Sequence, residues 1–175
     1  TLFVGTDGGI YLTTNNGTTW TLSLAVPWVN AIAGNSTKLY ASTARIAGFY
    51  ESTDNGTSWH GNATIGAVYC SSILATDAYI LVGVLNQGIS NGIFASTNNG
   101  ATWSRPNTGL TNLSIASLAV KGTNLFAGTE GGGVWRRPLS ELGIVSSVHP
   151  SSSEIPDRCI LEQNYPNPWN PSTTI

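Results

Sequence analysis

The chain has 175 residues, a net charge of −2 and only 9% charged residues. That balance excludes the basic footprint of a nucleic-acid binder, and no apolar run reaches the roughly 18 residues that a membrane-spanning helix needs. Polarity must come instead from Thr, Ser, Asn and Gly, and the length is ample for a sizeable core.

In chain order, the apolar segments are short. Leu2-Phe3-Val4-Gly5-Thr6 is followed, after a loop, by Ile10-Tyr11. Leu39-Tyr40-Ala41-Ser42-Thr43 is followed by Phe49-Tyr50, and Ile80-Leu81-Val82-Gly83-Val84 by Ile93-Phe94. Leu125-Phe126-Ala127-Gly128-Thr129 leads to Val134-Trp135. Such runs, rich in β-branched and aromatic residues and bounded by Gly, Asn and Thr, predict strands. No window keeps a helical period for three turns, so almost no helix is expected. The second copy lays out a whole unit: strand 29–34, turn 35–38, strand 39–43, loop 44–48, strand 49–53, tight turn 54–57, and a fourth strand beginning over 58–60. The next units open with strands 68–75 and 114–120. Four antiparallel strands in about 40 residues is the content of one propeller blade.

Between the third and fourth strands sits an octapeptide that closes on tryptophan. It reads T-T-N-N-G-T-T-W to Trp20, S-T-D-N-G-T-S-W to Trp59 and S-T-N-N-G-A-T-W to Trp103. The spacings, 59 − 20 = 39 and 103 − 59 = 44, mark one supersecondary unit copied along the chain. Thr13, Ser52 and Ser96 open the copies. Asn15, Asp54 and Asn98 offer an oxygen to backbone N–H groups in an Asx-turn. Gly17, Gly56 and Gly100 permit positive φ. Trp20, Trp59 and Trp103 are expected to cover apolar surface between sheets, each indole N–H meeting a carbonyl. The expected role is structural, fastening third strand to fourth. Two of the three copies lack a carboxylate, so calcium binding is not expected.

The octapeptide resembles the Asp-box, also called the bacterial neuraminidase repeat, of several β-propeller families. The resemblance runs over roughly residues 1–137 and departs at its name-giving position, where only Asp54 is acidic. The fourth unit loses the motif and reads Arg136-Arg137-Pro138-Leu139. The resemblance implies an all-β partial propeller of four-stranded antiparallel blades, with about three and a half blades present. The chain opens at Thr1 inside the second strand of a unit and contains no Met. We therefore expect further blades and a signal peptide upstream.

After residue 148 the composition changes. His149-Pro150-Ser151-Ser152-Ser153 begins a Ser/Pro-rich linker, set at 149–160. Residues 161–175 read L-E-Q-N-Y-P-N-P-W-N-P-S-T-T-I. This string resembles the opening of the C-terminal sorting domain of type IX secretion cargo, with Trp169 in place of the usual Phe. It implies export across both membranes, the type IX secretion machinery as a partner, and an extracellular or cell-surface location. The expected domains are a propeller segment over 1–148, the linker, and a truncated sorting domain over 161–175.

Chemistry is sparse. The resemblance to sialidases implies three arginines that clamp a carboxylate, yet Arg136 and Arg137 are adjacent and point to opposite faces of a strand. Arg158 lies in the tail, and Arg45 and Arg105 complete the set. Asp7 and Glu130 occupy equivalent places after Gly-Thr, in loops on the face opposite the octapeptide turns. They are read as caps of Gly-rich turns rather than as a catalytic pair. His60 and His149 stand apart, with no metal-ligand spacing. The Gly-rich loops open no helix and cradle no phosphate. Cys70 reads as a small buried apolar residue, and no pairing with Cys159 is favoured. No catalytic residue, cofactor or metal is assigned.

The loops between second and third strands vary most in length, and such loops are where specificity is placed. The candidate ligand face is Asp7, Trp28, Arg45, Asn86, Gln87 and Glu130. Asn86 and Gln87 suit hydrogen bonding to carbohydrate or peptide. Trp28 suits stacking on a sugar, or packing between blades, and the packing role is favoured. The expected function is a binding or scaffold module with a glycan or protein ligand. The alternative is a secreted glycoside hydrolase with catalytic residues in further blades. A third class, an assembly factor, fits the sorting string poorly.

Overall fold

A computed structural model describes residues 1–44, 48–66, 69–85 and 92–144. They form four antiparallel sheets in chain order. The first holds β1 (Leu2–Thr6), β2 (Gly9–Thr13) and β3 (Thr21–Leu24). The second holds β4 (Val29–Gly34), β5 (Leu39–Thr43), β6 (Phe49–Ser52) and β7 (His60–Gly61). The third holds β8 (Cys70–Ala75), β9 (Ile80–Val84) and β10 (Gly92–Ser96). The fourth holds β11 (Ile115–Lys121), β12 (Asn124–Thr129) and β13 (Gly133–Pro138), and ends in a 3₁₀ turn over Leu139–Leu142. Each sheet meets the next mainly through its inner strands: β1 lies against β4, β4 against β8, and β8 against β11. The chain is a segment of a β-propeller.

Among the described residues, only the second sheet reaches four strands. In the third, the fourth strand shrinks to a single bridge between Ala95 and Ser104. Pro106 follows two residues later; it has no N–H to give a ladder and restricts Arg105 before it. In the fourth, β13 runs into Pro138 and turns helical, where the octapeptide is missing. The expected strand at 58–60 starts only at His60, because Ser58 N–H is held by the Asp54 carboxylate at 2.8 Å.

Burial explains why β9 reads as an unbroken apolar run. All five of its residues are buried. Ile80, Val82 and Val84 join Tyr40, Phe49, Phe94 and Cys70 in a core between the second and third sheets. Leu81 points the other way, into a second core with Ile93, Ile115, Leu125, Ala127 and Leu142. A strand covered on both faces has no polar side to alternate with. Each fully buried aliphatic side chain is worth about 1.5–3 kcal/mol. In the first core Tyr40 stacks on Phe49 at 5.7 Å, and Trp103 meets Phe49 edge-on at 5.6 Å.

The first sheet departs from this pattern. Leu2 and Val4 occupy the places of Ile80 and Val82, or of Leu125 and Ala127, which are all at most 2% exposed. Leu2 is 53% exposed and Leu22, on the same face, 48%. Their opposite face is covered by the second sheet: Gly56 lies against the Phe3 ring, and Trp59 Nε1 donates to Ser23 Oγ at 2.8 Å.

Gly56 tests how tightly the two sheets meet. Its φ is +80°, and an added Cβ would strike Phe3. Gly122 has φ +59° with nothing within 4 Å. Gly122→Ala should cost about 1–2 kcal/mol from backbone strain alone. Gly56→Ala should lose a further ~1–3 kcal/mol from overpacking, read as a lower urea midpoint. Equal losses would mean that the contact with Phe3 yields freely.

Candidate functional site

The two ends of the sheets are built differently. At one end stand the octapeptide turns, three copies of one hydrogen-bond scheme. Thr13, Ser52 and Ser96 each accept a backbone N–H, from Gly17 (3.0 Å), Gly56 (2.9 Å) and Gly100 (2.9 Å). Each donates its own hydroxyl to the next polar side chain, Asn15, Asp54 or Asn98, at 2.9, 2.8 and 3.0 Å. That side chain accepts the N–H of Thr19, Ser58 or Thr102 at 2.8–2.9 Å. The chain reverses over Asn16-Gly17, Asn55-Gly56 and Asn99-Gly100, all with positive φ. Positive φ at both central residues is the type I′ geometry that matches the twist of flanking strands.

The second and third turns also fasten their sheet to the one before it. Asn99 is locked onto the second sheet: its Oδ1 accepts from Asn35 Nδ2 at 2.6 Å, and its Nδ2 donates to Thr37 Oγ1 at 2.8 Å. Lys38 Nζ, paired with Glu51 at 2.9 Å, donates to the Asn99 carbonyl at 3.3 Å. The indoles differ from expectation. Trp59 finds a hydroxyl rather than a carbonyl, and Trp103 Nε1 is buried with no hydrogen-bond partner among the described residues. Trp20, in the first sheet, is 44% exposed.

At the opposite end, each link between sheets is tied to the loop after a second strand. Ala44 N–H donates to the Trp28 carbonyl (3.0 Å), Leu85 N–H to Tyr69 (3.0 Å), and Glu130 N–H to Ser114 (2.9 Å). Trp28, Tyr69 and Ser114 therefore hold one equivalent position. Trp28 alone of the three has positive φ, at 51°. For a bulky residue this is a strained conformation, of the order of 1–3 kcal/mol. It is held from both sides, since Trp28 N–H also donates to the Asp7 carbonyl at 3.2 Å. Trp28 is 40% exposed, so it is not confined between sheets as the packing expectation had it.

Around Trp28 lies an open cleft of about 330 Å³, lined by Asp7, Trp28, Val29, Asn30, Ala44 and Tyr69. Asp7 and Glu130, equivalent by position, have different surroundings. Among the described residues the Asp7 carboxylate has no hydrogen bond or ion pair, and the Gly8-Gly9 turn is capped instead by Thr6 Oγ1. Glu130 Oε2 accepts from Ser114 Oγ at 3.0 Å, and its carbonyl accepts from Asn112 Nδ2 at 2.7 Å. Here too a threonine, Thr129, spans the turn, bonding Gly133 O. Neither acid is the turn cap expected of it. Arg45, Asn86 and Gln87 lie outside the described residues.

A second cavity, of about 280 Å³, opens between the third and fourth sheets, among Ile93, Leu110, Leu125, Trp135 and Leu142. Its charged pair is already engaged: Arg137 donates to Glu141 (3.0 Å) and to the carbonyls of Pro106 (2.9 Å) and Thr108 (3.0 Å). Burial pushes the Cys70 thiol up to about 12 and so keeps it from acting as a thiolate nucleophile. Among the described residues, no three His, Cys, Asp or Glu side chains stand together.

Comparison with known proteins gives one architecture. No protein-family model matches the chain, and no curated protein matches it. Among solved structures, it is similar to the extracellular domain of a protein described as a one-component system of B. thetaiotaomicron, with a TM-score of 0.59 at 17% identity. The match covers 77% of this chain and 19% of that one. The likeness is one of fold. No helix of the described residues is long and apolar enough to cross a membrane.

Asp54 is the one acid in the three turns, and hydrogen bonds from Ser58 and Ser52 hold its pKa down at about 2, against an ordinary 3.8. The folded state thus favours its charged form. The stabilisation is complete above 3.8 and is lost as pH falls towards 2. Asn in that place makes the same turn with its amide donating instead, as Asn15 does to Thr19 (2.9 Å) and Asn98 to Thr102 (2.7 Å). Asp54→Asn should fold normally and lack this acid sensitivity. Urea midpoints of the two proteins compared across that window check it, and parallel curves would contradict it.

Proposed function

We propose that this chain is the display segment of an exported binding module, meeting its ligand on the face opposite the octapeptide turns. One observation carries the reading: the cleft of Asp7, Trp28, Asn30 and Tyr69 combines a strained, exposed aromatic with a carboxylate that no described residue engages. Strain of this kind persists where the surroundings over-determine it, and it gathers at ligand clamps. The octapeptide turns serve as Asp-boxes in this reading. Their side chains are consumed by the turn and by the neighbouring sheet, which fits a scaffold role and leaves the far face to bind.

Export rests on the string at 161–175, with 149–160 as its linker. The module is cargo of the type IX secretion machinery and works outside the cell or on its surface. The similar fold from B. thetaiotaomicron is described as an extracellular domain, which supports this setting.

Two measurements test the reading. The native chain and Asp7→Ala are applied to arrays of neutral polysaccharides and of synthetic peptides. Capture of either class by the native chain, reduced at least tenfold by Asp7→Ala, is expected. Capture that Asp7→Ala leaves unchanged would remove the cleft from the function. In a bacterium with a type IX system, deleting residues 161–175 should trap the protein in the periplasm. Undiminished surface protein after the deletion would overturn the sorting assignment.

A further inference from the structure

We infer that the Trp28 cleft recognises a neutral carbohydrate, with the indole as stacking platform and Asp7 and Asn30 as hydrogen-bonding rim. The inference rests on the binding reading above and names its ligand class.

The geometry of the link does not require Trp28 to be strained. Tyr69 and Ser114 accept the same loop N–H from the same position without positive φ. Among the described residues, the other positive-φ residues besides glycine are Asn16, Asn55 and Asn99, all inside the octapeptide turns. The left-handed turn at Trp28, held by the further bond from its N–H to the Asp7 carbonyl, sets the direction of the side chain. It leaves a large indole 40% exposed at a cleft instead of completing a core.

The rest of the lining selects among ligands. Asp7 is acidic and exposed, and can only accept hydrogen bonds when ionised. It repels phosphate, sulfate and acidic peptides. Asn30 spends its Nδ2 on the Cys70 carbonyl at 3.2 Å, which leaves Oδ1 as an acceptor. Tyr69 adds a phenol that both donates and accepts. A ligand that fits must present several hydroxyl donors at its edge and an uncharged C–H face to the indole. A pyranose ring has both on one rigid frame. A volume of about 330 Å³ lies at the lower end of the roughly 300–1,000 Å³ of small-ligand sites. Its openness to solvent suits part of a chain rather than an enclosed small molecule. A cationic peptide could also meet an indole beside a carboxylate, but Asn30 and Tyr69 would then contribute little.

The test titrates the full chain with linear glucan, xylan and mannan oligosaccharides, and separately with a Lys/Arg-rich peptide. Trp28→Ala, Trp28→Phe and Asp7→Ala are compared with the native protein, with circular dichroism as the folding control. The expected result is saturable binding of at least one neutral oligosaccharide. Trp28→Ala should weaken it tenfold or more, and Trp28→Phe should retain part of it. Asp7→Ala, at an exposed position whose carboxylate bonds no described residue and whose backbone bond to Trp28 survives the change, should weaken it with the fold intact. Oligosaccharide binding unaffected by Asp7→Ala or Trp28→Phe would overturn the inference. Binding of the cationic peptide alone, lost in Trp28→Ala, would keep the binding face and remove the carbohydrate. Absence of all binding would remove both.

Discussion

The fold depends on a small hydroxyl placed at the end of a strand. Thr13, Ser52 and Ser96 each accept the N–H of a glycine four residues ahead and donate to the polar side chain between. All three are at most 2% exposed. An unsatisfied N–H in such a place costs about 1–3 kcal/mol, so the hydroxyl decides whether the hairpin closes at all. Once it closes, Asn55-Gly56 and Asn99-Gly100 stand at the height where they reach the preceding sheet. A local bond thereby becomes a long-range one: the turn that ends one sheet sets its distance from the last.

Much of this was legible in the chain itself. The inner strands at 29–34 and 39–43 fell where the apolar runs predicted, because Ala31, Ala33 and Tyr40 pack at the core between the second and third sheets. The octapeptide announced its hairpin because few sequences besides Asn-Gly accept two consecutive positive φ values. Outer strands were harder. Whether a fourth strand forms depends on what pairs with it, and Pro106 and Pro138 cut two of them short. Pro106, three residues after the octapeptide, is the visible signal of the shortened strand in the third sheet.

The site was legible only in part. Trp28, Asp7 and Glu130 were placed on one face by counting strands. Sequence alone could not separate the two acids, which sit in nearly the same local setting after Gly-Thr. Ser114 made the difference by binding Glu130, and no described residue plays that part for Asp7. The backbone at Trp28 was equally hidden, since Val-Pro-Trp reads as extended chain. Its left-handed turn arises from two hydrogen bonds to segments about 16–21 residues away, at Ala44 and Asp7. Tyr69 and Asn30 were missed for a similar reason: adjacency to Trp28 exists only after the sheets stack.

Contacts pass chiefly from each sheet to its neighbour, so the segment behaves as a row of coupled units rather than as one indivisible core. In such a row each joint between units can open on its own, and the joint between the first and second sheets is closed by Gly56 against Phe3 and by Trp59 on Ser23. The Trp28 cleft bridges the first sheet and the second. Any occupant would act as a clasp across the joint, and its arrival would be felt as slower amide exchange along Leu2–Thr6 and Gly9–Thr13.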